Sequence, residues 1–577
     1  MRSTFLGAAL LAALATPAWA DWPGNPSANL PVCTAIQEQA NATVCSDGAG
    51  GAYIAWDDRR NDLTDDPDNP IPDIYLQHVL TTGAVDPAWP PDGLGLSEGT
   101  GPRFGPRVVE DGAGGAIVVW DRSDAAGIAT YAQHVRADAT FDPAWEAGGV
   151  ALAGVNVRVI SDQAGGILSV WSEYSDGSFD VRAQRLRAEG TLDPSWPALG
   201  AVLATGSLYD TEPTLTSDGA SGAIVAWSQS FHVMALHVQA DGVPDPAWDG
   251  GRTLSDSYAW CPTPVGDGAG GVIVAWFDAG SDAQYDVVAH HVLPSGEIDP
   301  EWPQNGRRLT RAAGSQAYPS IVSDMQGGAI VAWDDRRASG SDLQWYADVY
   351  AAHVLHDGTL DPQWPEDGLP VCTADNPQWR VAMVSDGSGG ALLAWDDFRN
   401  GNDDVYAQHV LPAIGIDDRW PVNGAAVSLA SGHQEFPGQG AQTYLLAATS
   451  DSAGGSILAW TDYRAGSATD IYTQRIKNDG SLAPPTASAP SAVAPALLTL
   501  AAINPAFGRP VIRWSLTRSA PARVDVFDVS GRSLESRALP AGAMSGSATL
   551  QHLPAGVYMI RIAQRERSVS CRVVVLE

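Results

Sequence analysis

Ser46-Asp-Gly-Ala-Gly-Gly-Ala-Tyr-Ile-Ala-Trp56-Asp-Asp-Arg-Arg60 is one copy of a pattern that returns at 110–122, 161–173, 217–229, 266–278, 323–337, 385–399 and 450–464, eight copies in all. The anchoring tryptophans Trp56, Trp120, Trp171, Trp227, Trp276, Trp333, Trp395 and Trp460 stand 49 to 65 residues apart. After each copy comes a segment such as Asp73-Ile-Tyr-Leu-Gln-His-Val79 or Asp404-Val-Tyr-Ala-Gln-His-Val410. Asp-Pro-x-Trp follows, beginning at Asp86, Asp142, Asp193, Asp245, Asp299 and Asp361, with a looser form at Asp417-Asp-Arg-Trp420. One unit reads as four strands. An extended piece ends at Ser-Asp-Gly and glycines reverse the chain. The run Gly-Ala-Ile-Val-Ala-Trp is then apolar on both faces, as a strand packed between two sheets must be. The Tyr-x-Gln-His-Val segment alternates, and Asp-Pro presets a turn that lays a Trp ring on the neighbouring surface. A short strand such as Leu369-Pro-Val-Cys-Thr-Ala374 ends the unit.

Four antiparallel strands repeated at about 50 residues predict an all-β fold, an eight-bladed β-propeller over 21–482. An open β-solenoid is the rival, but solenoid units are usually shorter and need caps. The two ends favour a closed ring. The eighth unit runs out near Leu482 with no Asp-Pro-x-Trp and no last strand, whereas Leu30-Pro-Val-Cys-Thr-Ala35 nearly duplicates 369–374 and has no unit before it. The N-terminal strand is therefore expected to complete the last blade.

Composition narrows the function. Of 577 residues, 67 are Asp or Glu against 33 Lys or Arg, a net charge of −34, which excludes nucleic acid as a partner because phosphate binding needs a basic face. With 45% hydrophobic residues the chain can build a core, and 60 Gly, 40 Pro and 21 Trp fit short strands and tight turns rather than a helical enzyme. Residues 1–20 read as a secretory signal peptide: Arg2, an apolar run over 5–15, and Ala18-Trp19-Ala20 before Asp21. No later stretch reaches the roughly 20 apolar residues of a transmembrane helix. The five cysteines are too few and scattered for a disulfide scaffold or a zinc site; Cys33 and Cys45 either bridge neighbouring strands or stay buried thiols.

Residues 483–496 are rich in Pro, Ala and Ser, as a linker would be, and the charge reverses beyond them: 488–577 hold ten Arg against five acidic residues. Alternating segments at 511–516, 522–527, 547–550, 556–562 and 569–575 suit a small β-sandwich over 497–577.

Two resemblances follow from these motifs. The repeat, over about 30–482, resembles a class of exported bacterial propeller-like proteins with a Trp-x-Asp-x-Arg, Asp-Ile-Tyr-Ala-Gln rhythm, and it implies no catalytic residues. Asn504-Pro505, Val526-Phe-Asp-Val-Ser-Gly-Arg532, Leu553-Pro-Ala-Gly-Val-Tyr558 and the terminal Val-Val-Val-Leu resemble the type IX secretion (Por) C-terminal sorting domain and the related FlgD-like immunoglobulin-type domain. That likeness implies either delivery to the surface, through contact of 497–577 with secretion or attachment machinery, or a structural appendage. The end of the chain departs from the family's Lys-rich pattern, carrying Arg565, Arg567 and Arg572 instead.

Candidate chemistry is sparse. The Asp-Gly-Ala-Gly-Gly turn opens a strand rather than a helix, so it is a hairpin and not a phosphate cradle. His78, His134, His237, His291, His353 and His409 share one repeat position with Arg185 and Arg475. One per unit is too dispersed for a single metal, so these residues are expected to hydrogen-bond neighbours. Acidic loops concentrate oxygen ligands: Asp57, Asp58, Asp62, Asp65, Asp66, Asp68 and Asp73; Asp334, Asp335, Asp342 and Asp348; and Asp396, Asp397, Asn400, Asn402, Asp403 and Asp404. Such a set suits Ca²⁺, the one cofactor the sequence suggests; alternatively these carboxylates pair with Arg59, Arg336, Arg399 and Arg464 or solvate the surface. Trp260, Trp345, Trp379 and Phe436, with Phe231, His232 and His433, break the repeat, either as a ligand-binding surface or as covers for blade edges. Together these readings give a secreted or cell-surface interaction module for an extracellular protein or glycan, with the periplasm as the alternative location. The alternative is a glycan-directed enzyme with its centre on the propeller axis. Non-repeated acid, Arg and Tyr residues converging on that axis would favour the enzyme, and a ring of repeated side chains the scaffold.

Overall fold

The structure is a computed structural model. It describes residues 22–482 apart from 63–70, 97–100, 125–126, 176, 208–209, 280–283, 339–345, 437–447 and 467, and residues 499–576 apart from 503–505, 508–509, 516–521, 530–531, 540–544 and 565–566. The expected signal peptide and linker, Trp345, Asp65, Asp66, Asp68 and Asp342 lie outside the described residues. The chain divides into two compact units, Met1–Pro484 and Pro485–Glu577.

In the first unit every repeat forms its own antiparallel sheet. After a first strand β1 (Leu30–Cys33), the first repeat contributes β2 (Gln39–Ser46), β3 (Ala52–Asp58), β4 (Asp73–Val79) and β5 (Leu94–Gly95), hydrogen-bonded in chain order. Eight such sheets of four or five strands follow one another, and the first strand of each lies against the first strand of the next until the eighth returns to β2. That arrangement is a closed propeller-type ring with the first strands innermost. β3 is buried at all seven positions, as its two-faced apolar pattern requires. The eight repeat tryptophans, Trp56 among them, are buried to 1% exposure or less. Each removes about 200 Å² from water, worth roughly 5 kcal/mol.

The hairpin between β2 and β3 is set by Asp47, whose Oδ1 accepts from the amides of Ala49 (2.7 Å) and Gly51 (2.8 Å). A Cβ on Gly51 would lie 2.3 Å from the Val79 carbonyl oxygen, so the repeat keeps glycine there. The other Asp47 oxygen meets His78 Nε2 at 3.0 Å, while His78 Nδ1 meets Asp86 of the Asp-Pro turn at 2.9 Å. The same imidazole clamped between two carboxylates recurs at His134, His237, His291, His353 and His409. Arg185 bridges Asp162 and Asp193 in the third sheet, and Arg475 binds Asp451 in the eighth. The repeated histidines therefore tie hairpin to turn within each unit, as expected.

Neighbouring units are joined by the Asp-Pro tryptophans. The indole N–H of Trp89 donates to Ala137 O (3.2 Å), Trp145 to Ala188 O (2.8 Å) and Trp364 to Pro412 O (2.8 Å), each in the following unit. The eighth unit lacks this Trp, and the N-terminus supplies it: Trp22 is 4% exposed and donates to Thr81 O at 3.0 Å in the first unit. Gly83, at φ +78°, makes room, since a Cβ there would sit 2.5 Å from the Trp22 nitrogen. β1 pairs antiparallel with Asp470–Ile476 and completes the eighth sheet. The N-terminus thus provides both the expected strand and a tryptophan that the sequence reading did not assign.

Cys33, Cys45, Cys261 and Cys372 are free thiols. The bridging alternative for Cys33 and Cys45 is not realised, and burial pushes Cys33 up to about 12.

The second unit holds a three-stranded sheet, Thr499–Ala502, Val511–Ser515 and Ser545–Thr549, and a five-stranded sheet. The latter runs Ala506–Phe507, Arg567–Leu576, Gly556–Gln564, Arg523–Asp528, Ser533–Ala538. Ile512, Val524, Val526, Ile560, Ile562, Val573 and Val575 fill its core. Three strands escaped the sequence reading: Thr499–Ala502, Ser533–Ala538, whose burial pattern is mostly exposed, and Ala506–Phe507, which pairs parallel with Val575 and Leu576. Among the described residues no helix is long and apolar enough to cross a membrane.

Candidate functional site

The innermost strands depart from regular pairing at one place. Register slips between Ala40 and Thr43 in β2, and at the equivalent points Phe104/Arg107, Thr211/Thr214, Trp260/Thr263, Ala317/Ser320 and Trp379/Ala382. The bulged residue has a left-handed backbone: Asn41 (φ 55°), Gly105 (63°), Glu212 (56°), Cys261 (54°), Tyr318 (57°) and Arg380 (59°); Asn156 (50°), just before strand Arg158–Ser161, shares it at the equivalent point of the third unit. Such a conformation costs a non-glycine residue about 1 kcal/mol or more and gathers at functional sites. In a chain that repeats its hairpins and turns almost letter by letter, this column is different in nearly every unit.

A bulge frees an amide from its own ladder, and here the preceding unit accepts it. Gly105 N–H donates to Asp57 Oδ1 (3.0 Å), Asn156 to Asp121 (3.2 Å), Cys261 to Glu212 (3.0 Å) and Phe436 to Asp396 (3.2 Å). These carboxylates therefore staple adjacent sheets around the axis.

The bulges border a cavity of about 630 Å³ lined from five of the eight sheets, which only the axis of the ring can offer. Asn41, Asp57, Arg107, Asp121, Asn156, Arg158, Arg380, Glu435 and Tyr463 supply its polar groups, and Phe104, Ile128, Val155 and Phe436 its apolar ones. Arg107 donates to Asp121 at 3.0 Å and to Asn156 Oδ1 at 2.6 Å, and Arg380 pairs with Asp396 at 3.0 Å. Asp57 is 7% exposed. Burial pushes its carboxyl up to about 7, despite hydrogen bonds from Asn41 and Gly105 and the charge of Arg107. It therefore changes protonation near neutral pH. A second hollow of about 220 Å³ lies among the fourth to sixth units, bordered by Glu212, Trp260, Cys261, Phe277, Tyr285, Tyr318 and Arg336. There Trp260 meets Tyr285 edge-on at 5.8 Å and Phe277 at 6.0 Å.

Of the aromatics singled out in the sequence, Trp260, Trp379 and Phe436 fall on or beside the axial column. Trp260 and Trp379 immediately precede bulged residues, and Phe436 stands where Asn41 stands in the first unit. Trp260 borders the smaller hollow and Phe436 the larger; Trp379 is half-buried. The sequence reading missed Asn41, Arg107, Asn156, Arg158, Glu212, Tyr318 and Arg380, and named Asp57 only as an acidic-loop residue. Each bulged residue up to Arg380 lies five positions before the first residue of the hairpin pattern, so aligning that column across the repeats would have exposed it.

The third acidic set, Asp396, Asp397, Asn400, Asn402, Asp403 and Asp404, does not share one centre. Asp396 faces the axis with Arg380, and Asp397 accepts from the indole of Trp395 (2.7 Å) and from Arg399. Asn400 and Asn402 turn their amide N–H groups toward Asp404 at 2.7 and 2.8 Å, and Asp403 meets His433 Nδ1 at 2.8 Å. Asp397 belongs to a recurring cluster. In the first, sixth, seventh and eighth units the repeat Trp donates to an Asp that holds an Arg, and the Arg lies 3.7 to 3.9 Å over a Tyr ring.

Among solved structures, a polysaccharide lyase described as an ulvan lyase is 12% identical with a TM-score of 0.37, over 78% of this chain and 96% of that one. A protein from Lactobacillus plantarum is 12% identical with a TM-score of 0.34, over 62% and 92%. An endo-arabinase from Bacteroides thetaiotaomicron is 11% identical with a TM-score of 0.25, over 45% and 92%. Scores this low carry no inference about activity. No curated protein matches the sequence. Residues 504–576, within the second unit, match the family described as the secretion system C-terminal sorting domain.

Proposed function

We propose that this is an exported protein, addressed to the cell surface or extracellular space by its C-terminal sorting domain, whose propeller-type domain binds a glycan in the axial cavity. The supporting observation is the contrast between repeated contacts that hold the ring and non-repeated Asn, Arg, Glu and Tyr side chains gathered at its centre beside the repeat carboxylates Asp57 and Asp121. The volume is that of a small-ligand site, and closely spaced donors and acceptors beside Phe104, Phe436 and Tyr463 suit hydroxyl-rich rings. Calorimetric titration of the mature chain with neutral and uronate-containing oligosaccharides tests it. Binding to one class, weakened about tenfold or more by Asn156→Ala and Arg158→Ala, is expected, since each removes direct hydrogen bonds. Binding that both variants leave intact places the ligand elsewhere, and an absence of binding across the panel refutes the glycan reading.

One observation favours the second reading, an enzyme: Asp57 is held at about 7, the range suited to proton transfer at neutral pH. Turnover of a bound oligosaccharide with a pH profile that Asp57→Asn abolishes would establish it. Unchanged oligosaccharide after prolonged incubation leaves a binding protein.

A further inference from the structure

We propose that Asp403, His433 and Glu435 form a site for a divalent first-row transition-metal ion at the rim of the axial cavity. One potential ligand atom from each residue lies within 4.8 Å of the others. The site spans two units, because Asp403 immediately precedes strand Asp404–Leu411 of the seventh sheet and His433 precedes Gln434–Glu435 of the eighth. Backbone contacts fix both sides: Gln434 N–H donates to Asp403 O at 2.7 Å, Asn402 Nδ2 to Gly432 O at 2.8 Å and Tyr463 N–H to His433 O at 2.9 Å.

The donor set and one unsatisfied atom carry the argument. Asp403 is 8% exposed, yet its Oδ1 is buried and has no hydrogen-bond partner among the described residues. A buried carboxylate oxygen left in that state is costly unless a hydrogen-bond donor or a cation meets it, and a metal ion held by the neighbouring ligands would do so. Its Oδ2 stands 2.8 Å from His433 Nδ1. With metal–ligand bonds of about 2.1 Å, that separation subtends roughly 84° at an ion, close to the right angle of octahedral coordination and well below the tetrahedral angle. One imidazole with two carboxylates is a ligand set for manganese, iron, cobalt, nickel or zinc rather than calcium or magnesium, which prefer oxygen alone. Glu435 also lines the axial cavity, which brings the site to the edge of the space where a ligand would lie. Of the residues considered for calcium, only Asp403 takes part.

The mature full-length chain, stripped with chelator and titrated calorimetrically with manganese chloride, tests the assignment. One equivalent is expected to bind, with affinity lowered about tenfold or more by His433→Ala and by Glu435→Gln, while His356→Ala, on an exposed turn, binds as the parent does. Circular dichroism of each variant confirms the fold. Zinc binding with the same stoichiometry and the same dependence on His433 also supports the site. Absence of saturable binding below millimolar metal, binding that His433→Ala leaves unchanged, or equal affinity for calcium would overturn it.

Discussion

Replacing His353 by glutamine probes what holds each unit. The ring lies between Asp324 (3.1 Å) and Asp361 (2.8 Å), and all three side chains are at least nine-tenths buried. Burial pushes His353 down, but the hydrogen bonds and charges of the two carboxylates outweigh it and hold the imidazole above its ordinary 6.5. Burial pushes Asp324 up, and the hydrogen bonds from His353 and the amides of Gln326 and Gly328 bring it below its ordinary value. His353→Gln would leave two buried carboxylates facing an uncharged amide. Breaking a buried ion pair costs about 3–5 kcal/mol. Protonating one aspartate at pH 7 instead costs roughly 4 kcal/mol, three units at 1.36 kcal/mol each, so neutralisation offers no cheaper escape. His353→Arg is the control, because Arg185 already bridges Asp162 and Asp193 at the same position of the third unit. Urea unfolding of the mature chain, followed by tryptophan fluorescence at pH 7, should show about 3–5 kcal/mol lost in the glutamine variant and within about 1 kcal/mol of the parent in the arginine variant. A glutamine variant that unfolds within about 1 kcal/mol of the parent would refute a charged clamp and make the histidine a neutral filler.

The same clamps set a pH profile. Asp47, Asp111, Asp218, Asp267, Asp324 and Asp386 are held below their ordinary values, so their stabilisation is present above about pH 4 and is lost as pH falls through the lowered values. His237, His291 and His353 are held above theirs, so their contribution is complete below about pH 6.5 and is lost as pH rises through the raised values. Unfolding midpoints should therefore peak on the acid side of neutrality and decline toward pH 9; a flat alkaline limb would contradict the imidazolium assignment. Arg399→Lys keeps the charge but loses the guanidinium fork on Asp397 and the stacking over Tyr406, and should cost about 2 kcal/mol in the same assay. Trp22→Ala should cost about 3–5 kcal/mol, and deletion of residues 22–34 should bare strand Asp470–Ile476 as an unpaired edge and shift the chain to oligomers on size exclusion.

Periodicity made the ring legible because every unit must bury its Trp strand between two neighbours, and only repeated residues can do that eight times. Closure was legible for the same reason, since Leu30-Pro-Val-Cys-Thr-Ala35 copies the last strand of the sixth unit. Trp22 was not, because it comes without an Asp-Pro and acts across the seam of the ring. The axial site was hidden by its own nature. A bulge is a backbone event, and the residues it carries, Asn41, Gly105, Glu212 and Arg380 among them, share a conformation rather than a chemistry. Of the site's residues only Trp260, Trp379 and Phe436, on the column or beside it, were among the aromatics conspicuous enough to stand out. The calcium reading counted carboxylates along the loop, whereas Asp396 and Asp397, consecutive on a strand, point to opposite faces and into different networks.

The seam explains where the peripheral contacts are densest. β1 meets Asp470–Ile476 after a loop of about 440 residues, whose closure costs on the order of 5 kcal/mol in chain entropy. Strand β1, the Trp22 hydrogen bond, the packing of β2 on the eighth sheet and the bonds that Asn29 makes to Val427 O and accepts from Arg464 together offset that. The Trp-Asp-Arg-Tyr clusters occur in the sixth, seventh, eighth and first units, four consecutive sheets that flank the seam, whereas Trp171, Trp227 and Trp276 of the third to fifth have an indole N–H with no partner among the described residues. The larger cavity draws on three of those four sheets, and the Asp403–His433–Glu435 group lies between two of them. Reinforcement on the outer side of these units leaves their axial residues free to vary without loss of the ring. The binding chemistry proposed for the axis thus borders the units that carry these clusters.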